Sequence, residues 1–442
     1  MSGNGYIEKK LKAMNIDYYE IYLSEVESTS IEIKEKQIDC FTSAKRKGLS
    51  LRVLKDHRLG FSYCTEFTSK SFDRVISNAV MSAKNSSPDE FYGFPEISKP
   101  LPTLMVCDRS LSSIPKEEKI EKVKSLEKAA RSYDKRITKV RKAVYQERIV
   151  TEYLTNSHGV NLSHQGTFFS CSIVVVAEDK ADSQMGWDFD FSRFYHELDV
   201  TKVGNTASSR ALGLLGARSI SSFRGPAILD NSVSCQFLGV LAPSFLAESV
   251  QKNKSLLGGK MNATIFSHTI DITDDGLYPG GAATQPFDGE GIIRQSTSLI
   301  EHGVLRNFLY DTYCARKDTT LSTGNSSRSS IKTTPKVGHS NLYIKKGGES
   351  PDDLTSHVDK GLLVNEVMGI HTANPISGDF SVGINGFLIK HGKKEAPVKG
   401  MAISGNIIPL FNSVSAVGSD LRFYGQTGSP SLLIEEVDIS GN

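Results

Sequence analysis

Hydrophobic spacing along this chain changes period in blocks. Helical and strand-like segments do not alternate one by one. Helical spacing appears at Phe72, Val75, Ile76, Ala79, Val80 and Ala83, and again at Ile120, Val123, Leu126 and Ala130. A third helix is expected over about 206–215. Other segments are rich in β-branched and aromatic residues, which predicts strands over 18–23, 30–42 and 48–54 and from 137 to about 194. Ile31, Ile33 and Ile38 sit among Glu32, Lys34 and Glu35, as in a half-buried strand. Asn156-Ser-His-Gly159 has hairpin chemistry. Segregated blocks argue against repeated βαβ units and give an α+β fold.

The chain has 442 residues, too many for one ordinary core. We expect two domains: 1–222, with mixed strands and two long helices, and 223–442, mostly antiparallel β, with the boundary near 219–224. Pro88, Pro95, Pro100, Pro102 and Pro115 mark a segment that suits neither helix nor central strand, so a long surface connection is expected there. Beyond 225 one long helix is predicted over 232–250, carrying Val233, Phe237, Val240, Leu241, Phe245 and Leu246. No repeat of fixed period is evident.

A net charge of +2 gives no broad drive towards nucleic acid or anionic membrane. No apolar run approaches the ~20 residues of a membrane helix. The start of the chain, Met1 to Leu11, lacks the apolar core of a secretory signal. Six cysteines (40, 64, 107, 171, 235 and 314) form no CxxC pair, which fits free thiols in a reducing compartment. A cytoplasmic location is therefore expected.

Candidate chemistry is sparse. His196-Glu197 lacks the second His that a zinc helix needs four residues after the first. His268, Asp271, Asp274 and Asp275 could hold a metal; equally, Asp274-Asp275-Gly276 is a turn sequence and 268–271 reads as a strand. Pro279-Gly-Gly-Ala-Ala283 and Asp288-Gly-Glu-Gly291 match no nucleotide-binding loop. Ser322-Thr-Gly-Asn-Ser-Ser-Arg328 offers hydroxyls, an amide and a guanidinium. It could bind a peptide backbone or carboxylate, or cap itself. No GxSxG elbow exists. A cysteine nucleophile would need a lowered pKa that sequence cannot reveal.

The most specific segment is Asn374-Pro-Ile-Ser-Gly-Asp-Phe-Ser381, followed by Gly383, Gly386-Phe387-Leu388-Ile389, Gly392, Pro397-Val398-Lys399-Gly400 and Ser404-Gly405-Asn406. With Thr273-Asp-Asp-Gly276, Thr297-Ser-Leu-Ile-Glu301, Ser322-Thr-Gly-Asn325, Arg328 and Ser340-Asn-Leu-Tyr-Ile344, this ordered set resembles the PmbA/TldD family, the modulators of DNA gyrase. The resemblance implies a zinc peptidase whose catalytic, TldD-like member binds metal through His-Glu-x-x-x-His and a Cys near the C-terminus. Here no His occurs between 197 and 267, no Cys follows Cys314, and Pro243 interrupts the corresponding helix.

The resemblance thus implies a PmbA/TldE-like subunit with no catalytic residues and no metal of its own. Zinc is expected in a TldD-like partner, within a heterodimer that cuts unfolded peptides. On that view Asn325, Arg328, Asn374, Gly378, Asp379 and Phe380 line the peptide chamber. Glycine-rich strands admit a second backbone, and an extended peptide could add to an open edge. A chamber face without its partner exposes apolar surface, so a homodimer is expected when the partner is absent. The alternative is a peptide-binding regulator without peptidase activity.

Overall fold

The computed structural model describes residues 2–16, 18–96 and 100–441. It begins with α1 (Ser2–Ala13), β1 (Tyr18–Lys34), β2 (Gln37–Lys55), β3 (Arg58–Cys64) and α2 (Ser69–Asn85). After an irregular connection come α3 (Lys116–Tyr133), β4 (Ile137–Asn156), β5 (Asn161–Asp179), β6 (Asp182–Ser192) and α4 (Val200–Gly213). These strands form one antiparallel sheet of order β3-β2-β1-β4-β5-β6.

That order is symmetric about the β1–β4 pair. Each half is a helix, three meandering strands and a helix, with α1 packed on α2 and α3 on α4. One glycine in each half shows the equivalence. A Cβ at Gly60 of β3 would come within 2.0 Å of Ala79 O and 2.8 Å of Ala83 Cβ in α2. A Cβ at Gly186 of β6 would come within 2.1 Å of Ala207 O and 3.0 Å of Ala211 Cβ in α4. Bare strand backbone lets each helix lie close. A duplicated architecture is therefore present although the sequence shows no fixed period. The two copies keep packing geometry, with little more than a Gly and an Ala-x-x-x-Ala in common.

Several boundaries differ from the sequence reading. The strand expected over 30–42 is interrupted by a turn at Glu35 and Lys36, both at positive φ, so β1 and β2 form one long hairpin. The third helix begins earlier, at Val200, because Asp199 caps it by accepting from Lys202 N. The Pro-rich connection has no helix or strand before Leu111 among its described residues, yet it is tied down. Phe94 and Val106 are buried, Tyr313 Oη donates to Asp89 at 2.8 Å, and Asn156 Nδ2 donates to Pro95 O at 2.8 Å.

The second half runs β7 (Phe223–Leu229), α5 (Asn231–Leu241), α6 (Ala247–Gln251), β8 (Ile272–Asp275), β9 (Ser296–Glu301), β10 (Val304–Leu305), α7 (Thr312–Lys317), β11 (Ser326–Ser327), β12 (Lys336–Val337) and β13 (Leu342–Ile344). Then come α8 (Pro351–Ser356), β14 (Lys360–Met368), β15 (Asp379–Lys390), β16 (Lys393–Asn406), α9 (Ile407–Asn412), β17 (Val414–Val417), β18 (Arg422–Tyr424), β19 (Thr427–Ser429) and β20 (Leu432–Ser440). One sheet runs β16-β15-β14-β7-β20-β17, and an extra β16–β20 pairing closes five of its strands into a ring. A second sheet runs β10-β9-β8-β13-β19-β18. Most pairings are antiparallel; β14–β7 and β13–β19 are parallel.

Helix α5 lies between the ring and the second sheet. Val233, Phe237, Leu238 and Leu241 are fully buried, as expected of a helix enclosed on most sides. The single helix expected over 232–250 is in fact broken. α5 stops at Leu241, residues 242–245 form a 3-10 turn, and α6 restarts at Ala247. Pro243 has no N–H to continue the α-helical ladder.

Candidate functional site

Asn374 to Phe380 form a tight turn entering β15. Asn374 accepts from Ile376 N at 2.8 Å and Ser377 N at 3.2 Å through Oδ1, and its own N–H donates to Asp379 O at 2.9 Å. Gly378 has φ +82°, which suits glycine. Asn406, across the hairpin, donates to Ser377 O at 2.8 Å and to Asp379 Oδ1 at 2.9 Å. Phe380 turns inward onto Phe237 of α5, their ring centroids 4.9 Å apart. The turn is therefore anchored on α5 through Phe380. Asn374 and Asp379 spend these side-chain atoms on holding its shape.

The other predicted loop sits elsewhere. Asn325 is buried; its Nδ2 donates to Asp274 at 2.6 Å and to Gly338 O at 3.2 Å, and its Oδ1 accepts from Thr323 at 2.7 Å. Asp274 also accepts from Ser340 N and Ser340 Oγ, each at 2.7 Å. The His268/Asp set does not converge. His268 is exposed in a turn, the strand starts at Ile272 and not at 268, and Asp271 accepts from His302 N at 2.7 Å. Among the described residues, no three His, Cys, Asp or Glu side chains are grouped to hold a metal ion.

The cysteines are unpaired. Burial pushes the Cys171 and Cys235 thiols up to about 12, and burial also raises Cys64, Cys107 and Cys314. That is the wrong direction for a nucleophile at neutral pH.

Arg328 joins the two halves of the molecule. It pairs with Glu20 of β1, donates to Gly289 O at 2.6 Å, and lies over the Tyr22 ring at 4.4 Å. Arg52 of β2 grips Glu20 in a fork, at 2.9 and 2.6 Å, and reaches Glu290 at 3.1 Å. All four side chains are buried. Burial opposes the charge on Glu20, but Arg328 and Arg52 together hold its carboxyl below the usual range. Beside this quartet lies a cavity of about 440 Å³, walled by the first sheet and by loops of the second half. Arg328 lines it; residues 374–380 do not.

Sequence reasoning missed Glu20, Arg52 and Glu290, whose partners lie up to 308 positions away. It also missed Arg294, another lining residue. Its one signal is an arginine directly after the apolar pair Ile292-Ile293.

Comparison with known proteins agrees with this architecture. Models of PmbA/TldA metallopeptidase domain 1, the central domain and the C-terminal domain match residues 19–83, 109–215 and 222–441. The Metalloprotease PmbA of Escherichia coli O157:H7 is 26% identical over 96% of this chain and 92% of its own length. A Thermotoga maritima protein described as a modulator of a DNA gyrase superposes with TM-score 0.92 at 25% identity, covering 99% of each chain. TldE from Thermococcus kodakarensis gives TM-score 0.90 at 25% identity, over 99% of this chain and all of that one. With its domain models in order and its whole length matched in structure, the chain belongs to the PmbA/TldD family.

Proposed function

We propose that this chain is the PmbA/TldE-like, non-catalytic subunit of a zinc-dependent peptidase, pairing with a TldD-like chain to process unfolded peptides. The observation that carries the reading is segment 239–244. It contains Gly, Val, Leu, Ala, Pro and Ser, with no His and no Glu. Its helix ends at Leu241, and Leu241, Ala242 and Ser244 are buried in the core. A His-Glu-x-x-x-His site needs an unbroken helical face open to substrate and metal. These residues do not fit zinc, and no step of a reaction is assigned to it in this chain.

The surface beside the 374–380 turn supports pairing. Ile376 is 51% exposed and Met368 43% exposed, apolar groups that a second subunit could cover. The relatives' names, Metalloprotease PmbA and TldE, support the same assignment.

The experiment is co-purification with a TldD-like chain, followed by a peptidase assay on unfolded peptide. Activity should require both chains and vanish with chelator. Robust activity of this chain alone overturns the reading. A second reading, a peptide-binding regulator, draws on the neighbour described as a modulator of a DNA gyrase. It would be favoured if peptide bound this chain but no peptidase activity appeared with any TldD-like partner.

A further inference from the structure

The cavity at the junction of the two halves contains a guanidinium without a hydrogen-bond acceptor. Arg294 lines it and is only 7% exposed. Among the described residues its guanidinium makes no hydrogen bond and no ion pair, and its Nε is sealed from solvent without an acceptor. The other buried arginines are all compensated. Arg52 and Arg328 pair with carboxylates, and Arg193 donates to the carbonyls of Thr167, Gly281, Ala282 and Thr284. A buried guanidinium whose donors find no acceptor is unfavourable, so such a group points to a missing hydrogen-bond acceptor.

Its position is also fixed. A Cβ at Gly276 would come within 2.7 Å of Arg294 Cβ, and one at Gly324 within 3.1 Å of Arg294 Cα. Gly276 leaves the room in which the arginine stem lies, and Gly324 admits the backbone of Ile293 and Arg294.

The surrounding groups show a surplus of donors. Ser326 Oγ is fully buried without a partner, and Arg328 Nη1 is likewise unanswered. The nearby carboxylates are already engaged. Asp288 accepts from Glu290 N, Ile292 N and Ser326 N, each at 2.9 Å. Glu152 accepts from Tyr22 Oη at 2.5 Å and from Gln285 at 3.3 Å. What is missing is therefore an acceptor. Asp288 attracts Arg294 without hydrogen-bonding to it, so what is unmet is the guanidinium's donor capacity, and a phosphate dianion would bring surplus charge close to Glu152 and Asp288. A planar guanidinium matches a carboxylate through two parallel hydrogen bonds. Tyr22, Phe168, Phe191 and Phe287 supply aromatic wall, and about 440 Å³ is within the usual range for a small-ligand site.

We propose that this cavity binds a monocarboxylate carrying an apolar or aromatic group, with the carboxylate on Arg294 and the group among the aromatic walls. The free C-terminal residue of a peptide and an N-acylated amino acid share this chemistry. The site belongs to this chain alone and does not rest on the pairing proposed above.

The test titrates the full-length chain with N-acetyl-phenylalanine, followed by calorimetry and thermal shift. One-site saturable binding is expected, with N-acetyl-phenylalaninamide at least tenfold weaker and inorganic phosphate not competing. Arg294→Met should weaken acid binding at least tenfold while raising the Tm of the unliganded chain, because buried donors without acceptors are removed. If that variant does not fold, the comparison of acid with amide on the unaltered chain decides. No saturable acid binding, equal binding of acid and amide, tighter binding of phosphate, or an Arg294→Met variant that binds like the parent overturns the proposal. A peptide ending in phenylalanine, with free carboxylate, identifies the source. Tenfold tighter binding than the acylated amino acid assigns a peptide C-terminus; weaker binding assigns a free small carboxylate.

Discussion

At the scale of single residues, buried carboxylates hold this molecule's loops in place. Asp274 accepts from Asn325, Ser340 N and Ser340 Oγ with almost no solvent contact. Asp274→Ala leaves those donors unanswered and should destabilise the chain by about 3 kcal/mol, read from the urea midpoint. An unchanged midpoint would refute that role. Asp288 behaves differently: burial, reinforced by neighbouring Glu290, pushes its carboxyl up to about 7. Its folded-state pKa thus lies above its unfolded value, so the native state holds the proton longer. Stability contributed at low pH is lost as pH rises from about 4 to about 7. Relative to Asp288→Asn, the parent should lose stability across that window and run parallel above it. A relative gain across the same pH range would sink the assignment. The sequence singled out both Asn325 and Asp274, one as a peptide contact and one in a metal cluster. Their meeting across 51 positions was not legible, because a side chain's partner is set by the fold.

At the scale of elements, periodicity was a good guide where one face is buried and a cap marks the end. α3 contains the helical spacing read at Ile120, Val123, Leu126 and Ala130. It was a poor guide for α5 to α6, where apolar residues on every side carry the pattern straight through the break at Pro243. The duplicated units give a sharper test. Gly60→Ala and Gly186→Ala each drive a methyl into helix backbone, at 2.0 and 2.1 Å. Each should cost about 2 kcal/mol or more in denaturant unfolding, and by similar amounts. Gly239→Ala meets nothing within 4 Å inside α5 and should be neutral or stabilise by about 0.5–1 kcal/mol. If Gly60→Ala or Gly186→Ala proved harmless, the close strand–helix contact would be wrong.

At the scale of the whole molecule, the Glu20–Arg52–Glu290–Arg328 quartet couples the first sheet to the second half. Glu20→Ala strands the buried Arg328, leaves Arg52 with Glu290 alone, and should destabilise by about 3–5 kcal/mol, with calorimetry resolving two transitions in place of one. A single transition at the parent temperature would show that the quartet does not couple the halves. Among the described residues, no helix is long and apolar enough to cross a membrane, in keeping with the absence of long apolar runs. The sequence by itself determined the α+β class, the family and the lack of a His-Glu-x-x-x-His motif, because periodicity, glycine placement and motif order are local properties of the chain. Only the tertiary structure decided that the first half is a duplicated unit, that Asn325 is locked in a buried network, and that Arg294 faces a cavity with no hydrogen-bond partner among the described residues. Those facts depend on residues tens to hundreds of positions apart being brought together, and on which of their polar groups are left without one.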